Sequence, residues 1–401
     1  MSYPNIQRVR INSVNMVISH FNLLDSLQSN KRIGGLTHNY YNYPARFSPE
    51  FAKGIILEFT KENDWVFDTF MGGGTTVVEA VANGRNSLGV DINPLSHFIT
   101  RVKTTPLSRQ DEERILKWAE EINFNKSNWE NDSIFNDPRL CNLPKEIRTS
   151  LLSASASINE LDLPRQKRFA RCALLSLGQW AIDCRRDVVP CVQWKCRLNN
   201  QVRAMIAGIN SLIEKTRDHN IPKNKITSRR ILYLGSVQQA FNDENIAKLN
   251  LRPKLVLTSP PYPGVHILYH RWQVKSRRET PAPFWIANLL DGNGESHYNM
   301  GSRSLLGLTN YFIRLTEIFS VLRNVLDTSS IVIQLVAFSD PDSQISPYLQ
   351  SMKNAGYKEI TPLSTLRSKR PIRIVPNRKW YTQSPEKQHS SHEFLFFHKP
   401  C

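Results

Sequence analysis

A glycine-rich turn between two apolar runs constrains this fold more than any other feature of the sequence. Trp65–Phe70 (WVFDTF) is a short apolar run that ends at Met71-Gly72-Gly73-Gly74, and Thr75–Asn83 continues with helical spacing. Ser87–Ile92 (SLGVDI) is a second apolar run of strand length. Strand, turn, helix and strand form a βαβ unit, whose strands are parallel. The sequence therefore predicts an α/β fold with a mostly parallel central sheet.

Strand-like runs resume much later in the 401-residue chain, with a helical stretch, Tyr311–Leu326, before the third of them. They lie at Arg230–Leu234, Leu255–Thr258, Ile331–Phe338 and Glu393–His398. Apolar residues at helical spacing predict a helix at Phe51–Thr60 and a short amphipathic helix around Ser13–Leu27. The segment His38–Pro49 (HNYYNYPARFSP) is aromatic and interrupted by proline, which predicts a loop.

Residues 106–228 show no alternation of strands and helices. Ser108–Ile122 reads as a charged amphipathic helix, Phe124–Pro144 as an Asn/Asp-rich loop, and Glu146–Lys215 as mostly helical. We therefore predict one domain made of residues 1–105 and 229–401, interrupted by a mostly helical insertion at 106–228.

The charge balance points to a polyanionic partner. The formal net charge is +17, and each Lys or Arg that neutralises a phosphate releases condensed counterions. No secretory signal and no apolar run of about 20 residues is evident, so we expect a cytoplasmic protein. The six cysteines lack paired CxxC spacing, and we predict no metal.

The glycine turn suits a nucleoside-containing cofactor. Gly72 and Gly74 allow positive φ and a close approach of the backbone to a ligand, and the helix that follows offers free N–H groups. The next strand ends at Asp91, about 20 residues on, where a carboxylate can accept both hydroxyls of a ribose. The spacing matches neither GxGxxG nor a P-loop, so the turn by itself leaves the cofactor unidentified.

A second motif, Thr258-Ser259-Pro260-Pro261-Tyr262, directly follows the apolar run Leu255–Thr258. Two prolines stiffen the backbone and donate no hydrogen bonds, so carbonyl groups stay free. A hydroxyl, a rigid carbonyl and an aromatic face thus meet at the carboxyl end of a strand, where open α/β sheets bind ligands.

Together, Phe67–Thr76, Gly84–Pro94 (GRNSLGVDINP) and the TSPPY run resemble the DNA amino-methyltransferases, and His38–Pro49 resembles their cofactor-contacting segment. The resemblance covers roughly residues 36–105 and 229–340. It implies a Rossmann-like methyltransferase fold, S-adenosylmethionine as cofactor and duplex DNA as partner. The implied catalytic residues are Ser259, Pro260, Pro261 and Tyr262, and the implied cofactor-binding residues are Phe47, Asp68, Phe70, Gly72, Gly74, Thr75, Asp91 and Ser236.

By this analogy the Ser259 side chain and the Pro260 carbonyl bind the two hydrogens of an exocyclic amine, and Tyr262 stacks on a flipped base. Serine before the two prolines is the family's tendency for cytosine N4, with adenine N6 as the alternative. Neither Pro190-Cys191 nor Pro400-Cys401 follows a suitable strand, which argues against methylation of cytosine C5.

Two positions depart from the family pattern. Thr69 replaces the usual proline after Asp68, and Gly235-Ser236 stands where the family often has an acidic residue near the cofactor adenine.

DNA contacts are predicted where basic residues alternate with aromatic ones. Residues 106–228 and the loop Pro263–Ser304 are both candidates for target recognition, and Arg367–Lys379 is expected to be an exposed loop that touches phosphates. The individual candidates are Arg271, Lys275, Arg277, Arg278, Arg370 and Arg373.

Two rival functions fit the sequence less well. An RNA amino-methyltransferase would normally carry a recognisable RNA-binding module, and the sequence shows none. A DNA-binding protein with a degenerate methyltransferase fold does not fit the intact glycine turn, Asp91 and Ser259–Tyr262. We therefore expect the modification enzyme of a restriction–modification system, with a cognate endonuclease that acts on the same site without direct contact.

Overall fold

The computed structural model describes residues 26–28, 34–43, 46, 48–124, 133–263, 271–275, 278–291, 300–302, 304–361, 370–375 and 391–401. The strands are β1 (Trp65–Asp68), β2 (Asn86–Asp91), β3 (Arg230–Leu234), β4 (Pro253–Thr258), β5 (Trp272–Val274), β6 (Arg278–Thr280), β7 (Ile331–Ala337), β8 (Tyr357–Glu359), β9 (Ile372–Val375) and β10 (Ser391–Pro400). The α-helices are α1 (Pro49–Phe59), α2 (Thr75–Ala82), α3 (Pro94–Lys103), α4 (Arg109–Glu121), α5 (Lys145–Ile158), α6 (Pro164–Ile182), α7 (Trp194–Arg217), α8 (Val237–Asn242), α9 (Glu244–Ala247), α10 (Ala282–Ala287), α11 (Leu305–Arg323) and α12 (Pro341–Asn354).

One sheet organises the molecule, with the order β3-β2-β1-β4-β7-β10-β8, and β9 pairs with β10. The strands from β3 to β7 are parallel, whereas β10 runs antiparallel to its neighbours. The strands in the middle are apolar throughout, because helices cover both faces of the sheet. This is the Rossmann-like methyltransferase fold, and the fold class predicted from the sequence is confirmed.

The sheet order brings the two sequence motifs together. From β1 the chain proceeds to β2 on one side, and β4 lies on the other side of β1. Ligands bind at such a switch point, outside the carboxyl ends of the strands. The glycine turn follows β1 and the Ser259–Tyr262 loop follows β4, so the two motifs share one edge of the sheet.

The helical insertion shares one apolar core with helices that cover the central sheet. Helices α4 to α7 share this core with α2, α3 and the aromatic segment Tyr40–Tyr43. Hairpin β5–β6 and helix α10 join the same core through Trp272, Phe284 and Trp285. Thus the two regions proposed for target recognition, 106–228 and 263–304, form one packed body in their described parts.

One expectation from the sequence is wrong. Arg367–Lys379 is not a plain exposed loop, because Ile372–Val375 pairs with β10 as strand β9. Among the described residues, helix α11 is long and apolar enough to cross a membrane by length and composition alone. Its Tyr311, Leu315 and Phe319 are buried in the core. The helix predicted around Ser13–Leu27 lies outside the described residues except for 26–28.

Candidate active site

The glycine turn is a tight backbone loop held by its neighbours. Gly72 and Gly74 have φ of 47° and 73°, which side chains rarely adopt. A Cβ on Gly73 would stand 3.0 Å from Cβ of Tyr43, so the turn lies directly against the aromatic segment. The hydroxyl of Tyr43 accepts a hydrogen bond of 3.0 Å from Asn93, the N-cap of α3.

One face of helix α3 packs against this turn and donates hydrogen bonds to it. Ser96 donates to the carbonyl of Gly72 at 2.6 Å, and Lys103 donates to the carbonyl of Gly73 at 2.6 Å. Between them, Thr100 fills the space that a Cβ on Gly74 would need. Burial lowers the pKa of Lys103 to about 7. Because these residues are spaced i, i+4 and i+7, they project from the same side of the helix.

Asp91 closes the turn at the end of β2. Its carboxylate accepts hydrogen bonds from the backbone N–H of Gly72 and of Asn93, both at 2.8 Å. It also lies 3.0 Å from the Ser96 hydroxyl, whose single proton is shared with the nearer carbonyl of Gly72. Burial raises the pKa of Asp91, and these hydrogen bonds oppose that rise. A carboxylate has about four acceptor positions, so Asp91 retains capacity for a ligand hydroxyl.

Hydrogen bonds between side chains join the cofactor turn to the catalytic strand. The Thr258 hydroxyl donates to Asp68 at 2.8 Å, and the Thr69 hydroxyl donates to Thr258 Oγ1 at 3.2 Å. Burial raises the pKa of Asp68 to about 6. Thr69, which departs from the family pattern, therefore supplies a contact across the switch point that proline could not make.

The loop after β4 presents an oxygen whose own proton is already used. Ser259 donates its hydroxyl hydrogen to the carbonyl of Leu335 on β7 at 2.8 Å. A hydroxyl oxygen keeps two acceptor lone pairs when its proton is committed elsewhere. Ser259 Oγ is half-buried and lies 3.3 Å from the Tyr262 hydroxyl.

The Tyr262 hydroxyl is held by a largely buried ion pair. Its hydroxyl donates to Glu393 on β10 at 2.9 Å, and Arg373 on β9 binds the other carboxylate oxygen at 3.0 Å. The Tyr262 side chain packs in the core beside α11, and the residue is 7% exposed. In this conformation its ring is thus a rigid wall of the loop rather than an open stacking face.

The remaining predicted cofactor residues have different environments. Phe70 is half-buried at the turn, and Thr75 is buried at the first position of α2, where its hydroxyl has no hydrogen-bond partner among the described residues. Ser236 follows β3, near Asp91, but its hydroxyl caps α8 by accepting from the N–H of Gln239 at 3.1 Å. Phe47 lies outside the described residues.

Three of the arginines predicted to contact DNA have carboxylate partners within the chain. Arg271 binds Asp291 at 2.9 Å, Arg370 binds both oxygens of Glu359, and Arg373 binds Glu393. Lys275 and Arg278 are exposed, and Arg277 lies outside the described residues. In the described ranges, no group of three or more His, Cys, Asp or Glu side chains meets as a metal site requires.

Sequence reasoning missed the residues that hold the two motifs in place. Helix α3 carries a usable signal, because Ser96, Thr100 and Lys103 are polar residues at core-facing positions just after Asp91. Glu393 and Arg373 carry weaker signals: Arg373 is the one charge in strand β9, and Glu393 is the one acidic residue in the largely apolar strand β10. Both charges are matched only once β9 and β10 pair.

The sheet order, with the glycine turn after β1 and the proline-stiffened loop after β4, is that of a Rossmann-like methyltransferase fold. Residues 18–128 match the family N6_N4_Mtase, described as DNA methylase. Over this part of the chain the match agrees with the resemblance that the motifs predicted, and the name of the family covers both N6 and N4.

Individual relatives are similar in sequence to this chain over short segments. Type II methyltransferase M.MvaI of Kocuria varians is 46% identical over 76 residues, which is 18% of this chain and 16% of that protein. Type II methyltransferase M.BsoBI of Geobacillus stearothermophilus is 36% identical over 107 residues, 25% of this chain and 21% of the relative. DNA adenine methyltransferase YhdJ of Escherichia coli is 37% identical over 62 residues, 16% of this chain and 21% of the relative. The matched segments thus span about a fifth of each relative.

Proposed function

We propose that this protein transfers a methyl group from S-adenosylmethionine to the exocyclic N4 of cytosine in duplex DNA. The observation that carries the proposal is the state of Ser259 at the switch point. Its proton is donated to Leu335, so its oxygen can only accept, as binding of an amine hydrogen requires. Pro260 has no N–H, and its carbonyl is a second acceptor beside it.

Methylation of an exocyclic amine is favoured by two such hydrogen-bond acceptors. The lone pair of an exocyclic amine is delocalised into the base, which makes the nitrogen a poor nucleophile. Acceptors that bind both amine hydrogens favour a tetrahedral nitrogen and so localise the lone pair as the transition state forms. When bound, the cofactor supplies a methyl group already activated by its sulfonium, so no covalent intermediate with the protein is needed.

The residues at the β1 edge fit that cofactor. The turn at Gly72–Gly74 packs so closely on Tyr43 and Thr100 that no side chain fits there, so its backbone is fixed before a ligand binds. Asp91 would bind the ribose hydroxyls, and the buried hydroxyl of Thr75, which has no hydrogen-bond partner among the described residues, is a further candidate contact. Phe47, Phe70 and Ser236 remain proposed contacts.

The target amine lies inside a stacked duplex, so we infer that the base is extruded into the crevice. Tyr262 is fixed by Glu393 and would form one wall of the space that receives it. A rigid wall reduces the ordering entropy that binding must overcome.

Adenine N6 is the second candidate target, since a segment of this chain is similar to a protein named as a DNA adenine methyltransferase. Serine at position 259 favours N4 by the family's tendency. The experiment is to incubate the protein with labelled S-adenosylmethionine and duplex DNA, then separate the nucleosides by mass spectrometry. We expect N4-methyldeoxycytidine; N6-methyldeoxyadenosine would move the assignment to the alternative, and label in structured RNA in place of DNA would refute both.

A matched pair of variants tests the role of the serine. Ser259→Ala should lower kcat by about a hundredfold or more, the usual cost of one lost transition-state acceptor or donor. Ser211→Ala, on an exposed face of α7, should leave the rate unchanged. Equal activity of both variants would contradict the proposed mechanism.

We further propose that the enzyme is the modification partner of a restriction endonuclease that reads the same site, working in the cytoplasm. Single-molecule sequencing of host DNA with and without the gene would report base, atom and sequence motif together. A methylated motif that protects against cleavage by a neighbouring nuclease is expected. Methylation without any such nuclease would leave an orphan enzyme and refute the restriction role.

A further inference from the structure

Two arginine side chains of the helical insertion pack on the ring of one tryptophan. The guanidinium groups of Arg185 and Arg197 lie 5.5 Å and 5.3 Å from the ring centroid of Trp180, which is half-buried at the end of α6. Arg185 also donates from Nε to the carbonyl of Trp180 at 2.5 Å. We call these three residues the tryptophan platform.

The platform arginines differ from several other arginines of the insertion in lacking an ion pair with another described residue. Arg139, Arg165 and Arg203 are bound by Asp137, Asp111 and Glu120. Within the ranges that the structure describes, neither Arg185 nor Arg197 has a carboxylate partner. An arginine that packs on an indole is ordered in advance and keeps donors for an external anion.

The hairpin β5–β6 extends this surface. Cys184 donates its backbone N–H to Gln273 at 2.9 Å, and Gln273 donates to the Asp183 side chain at 3.0 Å. These bonds place the hairpin beside the loop that carries Arg185. The hairpin's exposed cations are Lys275 and Arg278, and Arg186 and Lys195 are exposed on the insertion.

The surface also lies next to the proposed active site. Gln179, the neighbour of Trp180, exchanges hydrogen bonds with the backbone of Asn42 at 2.9 Å and 3.0 Å. Asn42 precedes Tyr43, which packs against the glycine turn. The platform therefore adjoins the edge of the sheet where the two motifs meet.

We propose that the tryptophan platform, together with Lys275 and Arg278, binds the phosphate backbone of the target duplex. The inference rests on the proposed function and specifies where the DNA is held. Planar guanidinium groups match phosphate oxygens in pairs, and cations without internal partners lose no ion pair when they bind. Such contacts position the duplex over the crevice, and base reading is left to other side chains.

The test compares two double variants that each remove two positive charges. Arg185→Gln with Arg197→Gln alters the platform, and Lys353→Gln with Lys358→Gln alters exposed lysines near β8, at the other end of the sheet. Binding to a fluorescent duplex is measured by anisotropy from about 50 to 200 mM salt, with S-adenosylhomocysteine present. Titration calorimetry with S-adenosylmethionine shows whether each variant keeps an intact cofactor site.

We expect the platform variant to bind duplex DNA about tenfold or more weakly at 0.1 M salt, with its salt slope reduced by about 1 to 2. Cofactor affinity should be unchanged, and the lysine variant should keep the wild-type slope. The proposal is overturned if the platform variant keeps that slope, or if the lysine variant loses as much. Stronger wild-type binding to structured RNA than to duplex DNA would also overturn it. If the wild-type protein neither binds nor methylates duplex DNA, the proposed function itself fails.

Discussion

Gly74→Ala tests how tightly the cofactor turn is built. Gly74 has φ of 73°, and an added Cβ would stand 2.3 Å from Oγ1 and 2.6 Å from Cγ2 of Thr100. The left-handed backbone costs a residue with a Cβ about 1–2 kcal/mol. Overpacking of a rigid site adds about 1–3 kcal/mol. We therefore expect the free energy of unfolding to fall by about 2–5 kcal/mol.

Gly35→Ala separates the two contributions. Gly35 has φ of 79°, but nothing lies within 4 Å of the position of its added Cβ. It should therefore show the backbone cost without the steric one. The difference between the two variants, read from urea midpoints at constant m, measures the clash with Thr100.

Thr100→Ala should rescue part of the loss in the Gly74→Ala background. It removes the two closest atoms and leaves only Cβ, 2.9 Å away. The hydroxyl of Thr100 is buried without a hydrogen-bond partner among the described residues, so its removal costs no such bond. Calorimetry should also show at least a tenfold loss of affinity for S-adenosylmethionine in Gly74→Ala. If Gly74→Ala is no less stable than Gly35→Ala, the packing of the turn has been misjudged.

Two further predictions concern charge at the site. Glu393→Gln leaves the largely buried Arg373 guanidinium without its counter-charge, so the free energy of unfolding should fall by about 3 kcal/mol, and kcat should fall with cofactor affinity unchanged. Tyr262→Phe should lose less stability, and equal losses of the two variants in urea denaturation would contradict the network. Burial raises the pKa of Asp68 to about 6, so its carboxylate becomes neutral as pH falls through that value. Affinity for the cationic cofactor should therefore decline as the pH is lowered through about 6. Calorimetry from pH 5 to about pH 8 should show this decline for the wild type and a flat profile for Asp68→Asn.

The sequence was sufficient for the parts of the fold that local patterns encode. Apolar runs bounded by glycine and polar residues correctly predicted β1, β2, β4 and β7, because a strand covered on both faces is apolar throughout. The spacing of Ser108–Ile122 predicted α4, which begins at a capping box formed by Ser108 and Asp111.

Elements that depend on distant partners escaped prediction. Strand β9 alternates exposed Ile372 and Ile374 with Arg373, a pattern that a strand with a buried side does not normally show. The charge on Arg373 is acceptable there only because Glu393 faces it across the β9–β10 pair. Trp272 likewise gave no sign that it would fill the space left by Gly178 of the insertion. Both contacts join residues far apart in the sequence, which local propensity does not encode.

The hydrogen bonds at the switch point explain why the two motifs act as one site. Thr258 and Thr69 link the end of β1 to the end of β4, so the glycine turn cannot shift relative to Ser259 without breaking bonds in the sheet core. Leu335 fixes Ser259 from the other side. In the mechanism that we propose, the distance between a bound methyl group and the accepted amine would therefore be set by neighbouring strands rather than by loop closure. A near-attack geometry held this way would need no reorganisation after the base enters, which is how positioning lowers a barrier when no covalent intermediate is formed.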